Sequence, residues 1–307
     1  MTAERVIVVG DALLDVLARP DAPLVPAADV PATVRLRPGG QGANVAVRLA
    51  RRGLPVRLVT ALADDAAGQL LRGLLSDEGI ELAALPVEAS GSVVVLVDAA
   101  GERTMLSQRA PFAHLVGRDA VDGAARWVVV SGYLLLEPRA PDLVRHLAGL
   151  STPVVVLGCA LPNSTGADRW RRLVQDAAPA LVAVNAAEAA ALVDPRSSSG
   201  PTKDEASLAA ALAGSIGAPV VVTGPAGAAA AGADGGDARV PSAPGAGPAI
   251  DSTGAGDAFA AALIASLGRG QDIATDLAQG MTLAASVARV VGAQTRVADE
   301  PGGTLDR

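Results

Sequence analysis

The stretch DSTGAGDAF, residues 251–259, joins a glycine-rich turn to an apolar run that predicts a helix. Gly254 and Gly256 can take backbone angles that are closed to bulkier residues. The first amides of a helix lack intrahelical partners and, with the positive end of the helix dipole, they bind phosphate oxygens. Asp257 lies where such a phosphate would arrive, which favours a carboxylate that acts on the phosphate acceptor. The stretch therefore predicts a phosphoryl transferase.

The lysine content excludes two common phosphate sites. Lys203 is the single lysine of the chain and lies in the loop GPTKD at 200–204. A Walker A loop needs Gly-Lys-Ser/Thr and a protein kinase needs a strand lysine, so neither motif is present. A dinucleotide fingerprint is also incomplete, because Phe259 stands where its third glycine would be. Any phosphate must be held by backbone amides, arginine or metal.

Composition limits the class of protein. With 307 residues, half of them hydrophobic, we expect one large α/β domain over residues 1–307. A net charge of −7 without a basic and aromatic cluster argues against nucleic acid. The chain has no run of 18 apolar residues, and its start leads into a strand at 6–9 without a cleavage site, so we expect a cytoplasmic protein that does not contact membranes. One cysteine and two histidines make a zinc site unexpected, and small-molecule partners are favoured.

Short β-branched runs alternate with amphipathic helical segments. Strands are predicted at 56–61, 127–131, 154–157, 181–184 and 220–223. This alternation predicts a doubly wound, mostly parallel sheet flanked by helices, with ligands at the carboxyl ends of the strands. The glycine-rich and proline-rich stretch 233–247 predicts a loop.

One region departs from this alternation. Runs at 92–98 and 102–107, joined by Ala99-Ala100-Gly101, predict a hairpin, and residues 12–38 could supply further strands. We expect a small β-sheet lid over the mouth of the larger sheet, from about 12–38 and 92–107. An ordinary edge hairpin and a surface loop are the alternative.

A second glycine cluster, GGQGAN at 39–44, precedes an amphipathic helix. Its apolar stripe leaves Arg48, Arg51 and Arg52 largely on other faces. Gly39 and Gly40 let the backbone approach a ligand closely. Asn44 can cap the helix or bind a substrate hydroxyl, and both interpretations stay open.

Together, GGQGAN near the start and DSTGAGD near the end resemble the two signatures of the ribokinase-like (PfkB) carbohydrate kinase family. The resemblance covers nearly the whole chain. It implies a ribokinase-like fold, transfer of the γ-phosphate of MgATP to a sugar hydroxyl, and a homodimer through the lid. Asp257 would be the base, and Gly254, Ala255 and Gly256 would form the anion hole. The helix N-terminus should lower the pKa of Asp257, leaving a weak base that orients the hydroxyl.

The resemblance also implies further site residues. The sugar contacts would be Asp15, Asp11, Gly39, Gly40, Asn44 and Glu137, of which Glu137 could instead be a helix-start carboxylate. Asn185 and Glu188 would organise Mg²⁺ and phosphates through water. Thr223, Gly224, Gly227 and Thr253 would lie on the nucleotide side, although residues 223–227 could be a tight turn between strands. Asp251, Ala288 and Ala293 fall where many relatives hold K⁺, which would order the loop that carries Asp257.

Gln41 stands where some sugar kinases carry lysine, and no lysine and arginine pair lies near the motifs. This favours an unphosphorylated sugar, as in ribokinases and fructokinases, although Arg103 and Arg109 keep phosphosugars open. Nucleoside kinases of the adenosine or pseudouridine type are the alternative; among the few aromatic residues, Phe112 and Tyr133 could reach a base. A non-catalytic ligand-binding relative is a further alternative.

Overall fold

The computed structural model describes residues 5–98, 103–121, 124–161, 164–194, 204–232, 237–243, 249–298 and 300. The elements are numbered in chain order. The larger sheet contains β1 (Val6–Val9), β4 (Val56–Ala61), β5 (Glu81–Leu85), β8 (Trp127–Val130), β9 (Val154–Leu157), β10 (Leu181–Asn185), β11 (Val220–Gly224), β12 (Gly227–Ala231) and β13 (Asp237–Pro241). The smaller sheet, which we call the lid sheet, contains β2 (Leu13–Pro20), β3 (Ala32–Gly39), β6 (Ser92–Val97) and β7 (Arg103–Gln108).

The helices lie between these strands along the chain. They are α1 (Gln41–Arg51), α2 (Ala66–Asp77), α3 (Arg118–Val121), α4 (Ala140–Ala148), α5 (Ser164–Ala177), α6 (Ala186–Val193), α7 (Glu205–Ile216), α8 (Ala255–Ser266) and α9 (Ile273–Val287). Short 3₁₀ turns cover Ala113–Leu115 and Gly132–Leu136. Within the described residues, none of the helices has the length and apolar character needed to cross a membrane.

The larger sheet has nine strands in the order β13-β12-β11-β10-β9-β8-β1-β4-β5. All pairs from β11 to β5 are parallel, and β12 and β13 add antiparallel strands at one edge. The valine runs of β1, β8 and β9 are almost entirely buried because helices cover both faces. The predicted doubly wound sheet is confirmed, whereas β13 lies within a stretch that was predicted to be a loop.

Two cores lie on opposite faces of this sheet. Residues of α4, α5, α6 and α7 pack on one face around Trp170, and residues of α1, α2, α8 and α9 pack on the other around Phe259. The second group brings the two glycine-rich helix starts together, because α1 packs directly on α8. This packing places residues 40–44 beside residues 254–257 although they are far apart in the sequence.

The lid sheet has the order β3-β2-β6-β7, with β2 and β6 parallel and the outer pairs antiparallel. The strands predicted at 92–98 and 102–107, and the further strands expected within 12–38, are therefore present in a separate sheet. The connection Ala99-Ala100-Gly101 lies outside the described residues. That residues 1–307 form one domain stays a prediction.

Candidate active site

A cavity of about 590 Å³ lies between the lid sheet and the carboxyl ends of the parallel strands. The lid sheet contributes Asp15 and Val95, and the strand ends contribute Gly158 and Asn185. The predicted site residues that line it are Asp15, Gly40, Asn44, Asn185, Glu188, Thr223, Asp251, Thr253, Gly254, Gly256, Asp257 and Ala293. The others, Asp11, Gly39, Glu137, Gly224, Gly227, Ala255 and Ala288, lie behind or beside this lining.

The start of α8 presents unbonded amides to the cavity. Gly254 is the N-cap residue and has a φ of 77°, a left-handed conformation that favours glycine. The Ala255 amide donates to the Ser252 carbonyl at 3.2 Å, whereas among the described residues the amides of Gly256 and Asp257 meet no acceptor. The anion hole suggested by this geometry is thus displaced by one residue from the predicted Gly254–Gly256 set, because the turn itself uses the Ala255 amide.

Asp257 lies in the first turn of α8 and meets Asn44 from α1. The Asn44 side-chain amide donates to Oδ2 of Asp257 at 2.7 Å. Asn44 does not cap α1, whose N-cap residue is Gly40 and has no side-chain capping bond. Between the two interpretations left open for Asn44, the structure therefore favours a role in the site.

The pKa of Asp257 is raised from 3.8 to about 7, mainly because protein surrounds the carboxylate and the charges of Asp11 and Glu188 add to this effect. The predicted lowering by the helix N-terminus is wrong. A helix terminus contributes about 0.3–1 kcal/mol, less than one pKa unit, whereas burial shifts a carboxyl by up to several units. Asp257 is therefore a stronger base than the sequence suggested.

Two further aspartates stand at the lid end of the cavity. Burial and the neighbouring Asp11 raise the pKa of Asp15 to about 6, and Arg109 opposes this rise. Arg109 forms an ion pair with Asp11 and lies 3.9 Å from the centre of the Tyr133 ring. The Asp15 carboxylate lies directly over Gly39: a Cβ there would lie 2.2 Å from Oδ2, so a side chain at position 39 would displace this carboxylate.

Gln41 forms three hydrogen bonds with the protein. Its amide nitrogen donates to the Gly158 carbonyl at 2.8 Å, and its oxygen accepts from Ser131 Oγ at 2.7 Å and from the Gly132 amide at 3.2 Å. These bonds join the start of α1 to the ends of β8 and β9. Gln41 therefore holds the strand ends together.

Glu137 does not line the cavity. Its two oxygens accept from the backbone amides of Phe112 and Ala113, at 3.2 and 2.8 Å, and so stabilise the start of a 3₁₀ turn. Both oxygens are thus engaged outside the cavity, which favours the helix-start interpretation over the predicted sugar contact. Phe112 is also buried away from the cavity, whereas Tyr133 lines it.

Asn185 and Glu188 form a capping box at the start of α6. Asn185 Oδ1 accepts from the Glu188 amide, and Glu188 Oε2 accepts from the Asn185 amide, both at 2.9 Å. The same Oε2 lies over Gly158, where a Cβ would approach it to 2.2 Å. Burial raises the pKa of Glu188, but its second oxygen faces the cavity lining without a bond within the described residues. An oxygen of this kind suits Mg²⁺ held through water.

Residues 223–227 form a tight turn between β11 and β12. Gly224 and Gly227 are paired across the strands, and the Ala226 amide donates to Glu205 Oε1 at 3.2 Å. A Cβ on Gly227 would lie 2.1 Å from the Val240 carbonyl. The glycines thus serve the turn, as the alternative interpretation held, and only Thr223 reaches the cavity.

The loop around Asp251 is held by backbone hydrogen bonds. Asp251 accepts from the amides of Thr253 and Gly292, at 2.7 and 2.9 Å. The Ala288 carbonyl accepts two amides, from Ile250 and Asp251, and the Ala293 carbonyl accepts from the Arg48 guanidinium at 2.5 Å. Among the predicted K⁺ ligands, these two carbonyls fit a cation poorly: two N–H donors occupy the Ala288 oxygen, and the Ala293 oxygen already faces the positive Arg48 guanidinium.

Sequence reasoning missed a buried ion pair behind Asn44. Arg48 and Glu300 are both completely buried, with Nη1 and Oε1 2.7 Å apart. Asn44, Arg48 and Arg51 follow one another at helical spacing of four and three residues, so they share a face of α1. That spacing was the sequence signal for Arg48. Its partner could not be predicted in the same way, because Glu300 lies 252 residues further along the chain.

Comparisons with known proteins identify the family of the chain. The sequence profile of the pfkB family carbohydrate kinases matches residues 3–300. Fructokinase-1 of Oryza sativa subsp. japonica is 33% identical over 117 residues, which cover 37% of this chain and 35% of that protein. Aminoimidazole riboside kinase of Salmonella typhimurium is 28% identical over 175 residues, which cover 44% of this chain and 55% of that protein. The chain thus aligns with about a third to a half of the length of these relatives.

A solved structure extends the likeness to the whole fold. The ribokinase of Cryptococcus neoformans var. grubii serotype A, determined in complex with ADP, superposes with a TM-score of 0.75 at 21% identity, covering 96% of each chain. The predicted ribokinase-like fold is thereby confirmed, and the family supports the predicted phosphotransferase reaction with a hydroxyl acceptor. The chain belongs to the pfkB family of carbohydrate kinases.

Proposed function

We propose that this protein transfers the γ-phosphate of MgATP to a hydroxyl of a small unphosphorylated sugar. The observation that carries the proposal is the position of Asp257 beside the unbonded amides of Gly256 and Asp257 in one cavity. A base for the acceptor hydroxyl and donors for the phosphoryl oxygens are thus available at the same place. The nucleotide is supported by the family and by the ADP that the fungal ribokinase binds.

The reaction follows from these groups. Asp257 accepts the proton of the sugar hydroxyl as its oxygen bonds to the γ-phosphorus. The bond between this phosphorus and the oxygen that bridges to the β-phosphate breaks, and ADP leaves with the bonding electrons. The free amides stabilise charge on the transferred group. Asp257 returns its proton to solvent.

Glu188 suits Mg²⁺, which it would hold through water. The bound ion would neutralise charge on the phosphates. No group of three or more His, Cys, Asp and Glu side chains suited to a metal occurs within the described residues, in keeping with an ion bound largely by nucleotide and water. For K⁺, the engaged carbonyls of Ala288 and Ala293 give no support, and no step depends on it.

Charge at the lid end favours a neutral sugar. Arg109 is paired with Asp11, and Arg37 lies opposite Asp15 in the register of β2 and β3. By number, the two arginines at this end are balanced by the two aspartates, although only Arg109 forms an ion pair with one of them. The carboxylates of Asp11 and Asp15 can accept hydrogen bonds from sugar hydroxyls. The side chain of Arg103 lies outside the described residues.

A nucleoside is the alternative acceptor, favoured by the similarity to an aminoimidazole riboside kinase. Two aromatic side chains line the cavity among the described residues: Tyr133, and Phe259 near the start of α8. The Arg109 guanidinium already covers one face of the Tyr133 ring. A base would have to stack on its other face or displace the arginine.

We also propose a homodimer through the lid sheet. Leu36, Val94 and Leu106 expose 55%, 37% and 58% of their surface and follow one another across the register through β2. This forms an apolar row on the face of the lid sheet turned away from the cavity. Sedimentation equilibrium should give twice the chain mass, and Leu106→Asp should give monomers. A monomeric parent protein would refute this part of the proposal.

The experiment is ADP release from MgATP across ribose, fructose, hexose phosphates, adenosine and pseudouridine. We expect an unphosphorylated sugar to be the substrate and Asp257→Ala to lower kcat by about 10²–10⁴-fold. Asp29→Ala, at an exposed position away from the cavity, is the matched control. A nucleoside substrate would establish the alternative, and ATP binding without any substrate-dependent ADP would indicate a non-catalytic relative.

A further inference from the structure

A chain of side-chain amides leads from the loop after α9 to Asp257. Gln294 Nε2 donates to Asn44 Oδ1 at 2.9 Å, and Asn44 Nδ2 donates to Asp257 Oδ2 at 2.7 Å. The three residues come from three separate segments, at 44, 257 and 294. Gln294 does not line the cavity, so it acts on Asp257 only through Asn44.

The direction of this chain is set by chemistry. An ionised carboxylate can only accept, so Asn44 must turn its NH₂ group toward Asp257. The Asn44 oxygen then faces Gln294, which must supply its own NH₂ group. Without that donor, the bond to Asp257 alone would hold the Asn44 amide in this orientation, and the Asn44 oxygen would be left without its described partner.

The backbone that carries Gln294 is unusually well held. Arg51 Nη1 donates to the Gln294 carbonyl at 2.8 Å, and Arg48 Nη2 donates to the carbonyls of Ala293 and Thr295, at 2.5 and 3.0 Å. The buried pair of Arg48 and Glu300 fixes the guanidinium in this position. A buried ion pair of this kind stabilises little by itself, but it specifies one arrangement of its surroundings.

We propose that Gln294 is a positioning residue that holds Asn44 with its NH₂ group toward Asp257, and that Arg48 and Glu300 hold Gln294. The inference rests on the proposed role of Asp257 as the base. In this arrangement Oδ2 of Asp257 is occupied by Asn44, and Oδ1 stays available for the sugar hydroxyl. The amide also favours the ionised carboxylate, which is the form that accepts a proton.

The test compares Gln294→Met, which removes the donor at similar volume, with the parent protein. Asp257 also faces Asp11, Glu188 and Arg48, and none of these charges changes in the variant. We expect the acidic limb of kcat/KM against pH to move up by about one pH unit, so that activity falls about fivefold near pH 7, about 10-fold below pH 6, and recovers by pH 9. KM for ATP should stay within about twofold, because the amides of α8 are untouched.

Two controls separate positioning from a general structural role. Gln69→Met removes a glutamine at an exposed position of α2 and should leave the pH profile unchanged. In Gln294→Glu the new carboxylate can only accept a hydrogen bond, so it would draw the Asn44 NH₂ group away from Asp257. The acidic limb of the pH profile should therefore move further than in Gln294→Met. An unshifted limb in Gln294→Met, or an equal loss of activity at every pH, would overturn the proposal.

A second readout does not depend on turnover. Titration of the Asp257 carboxyl carbon by ¹³C NMR should show a higher midpoint in Gln294→Met than in the parent protein. If the parent protein has no kinase activity, the proposed function fails while this titration still decides whether Gln294 acts on Asp257. An identical midpoint in both proteins would refute the positioning role.

Discussion

The two glycine-rich helix starts, at α1 and at α8, have similar compositions and opposite uses. At α1, a Cβ on Gly42 would lie 2.5 Å from the Gly10 backbone, and the Ala43 and Asn44 amides donate to the carbonyls of Asp11 and Gly40. At α8, a Cβ on Gly256 would meet nothing within 4 Å, and the Gly256 amide has no acceptor among the described residues. Glycine permits close packing at the first start and open space at the second.

This difference separates stability from function within one pair of packed helices. At the α1 start, Gly40 and Gly42 are in close contact with protein backbone and the Ala43 amide is bonded, whereas the Gln41 and Gly42 amides meet no acceptor among the described residues. The contrast between the two starts therefore lies in the packing of their glycines. The α8 start leaves donors unbonded and a carboxylate with a raised pKa, both of which a phosphoryl transfer would use. Substitutions at the first should therefore change folding, and substitutions at the second should change catalysis.

Gly42→Ala should give the largest effect on stability. Its Cβ would contact backbone atoms that cannot move aside, so we expect a loss of about 3 kcal/mol in the free energy of unfolding, measured with urea. Gly73→Ala, in the exposed part of α2 with nothing near its Cβ, is the control and should stabilise by about 0.5–1 kcal/mol. An unchanged stability for Gly42→Ala would show that the α1 start is not closely packed around this glycine.

Asp257→Asn should stabilise the protein while abolishing activity. Because the folded pKa of about 7 exceeds 3.8, the folded state retains a proton that the unfolded state has lost, and stability falls as pH rises through this window. Replacing the carboxylate should raise the free energy of unfolding by about 2 kcal/mol at pH 8. This is less than the full shift of about three pKa units implies, because Asp257 lines the cavity and is only partly shielded from solvent. The difference should disappear near pH 4. If the parent protein and Asp257→Asn were equally stable at pH 8 as well as at pH 4, folding would not raise the pKa of Asp257.

Gly256→Ala should change catalysis alone. The new methyl group would occupy space beside the unbonded amides, so kcat/KM for ATP should fall about 10-fold. Urea unfolding should show stability equal to or slightly above that of the parent protein, since alanine favours helix. Gly214→Ala, in α7 with open space around its Cβ, is the control: it should leave kcat/KM unchanged and, like Gly73→Ala, stabilise by about 0.5–1 kcal/mol. A folding defect in Gly256→Ala would contradict the division between the two helix starts.

Monovalent cations should have the smallest effect. Since the Ala288 and Ala293 carbonyls are engaged by N–H donors, replacing K⁺ by choline should change kcat by less than about twofold. A dependence of tenfold or more on K⁺ would mean that the loop around Asp251 rearranges to bind the ion. The measurement is initial rate at constant ionic strength.

The fold and the centre of the site were accessible from the sequence because their signals are local. Buried valine runs mark parallel strands, and residues 254–257 carry the turn, the helix start and the carboxylate in consecutive positions. The pKa of Asp257 was not accessible, since burial depends on which segments surround the residue in space. Glu137 was misplaced for the same reason, because its partners are amides 24 and 25 residues earlier.

Arg48 shows most clearly what the sequence alone could not predict. An arginine on an amphipathic helix predicts a solvent-exposed side chain, and only a partner elsewhere in the chain makes burial tolerable. That partner, Glu300, lies in a tail where polar composition gives no periodic pattern. The position of Arg48 on the face of α1 that carries Asn44 was visible, but the identity of its anion was not.

The pair of Arg48 and Glu300 also sets an order for assembly during synthesis. Position 48 is translated 252 residues before position 300, so a growing chain holds an arginine whose anion does not yet exist. Until that anion emerges, α1 cannot settle on its final neighbours without burying an isolated charge. We therefore expect α1 to stay incompletely packed until the segment that carries Glu300 has been synthesised. A translational pause before residue 300 should therefore leave a nascent chain that proteases cut readily around α1.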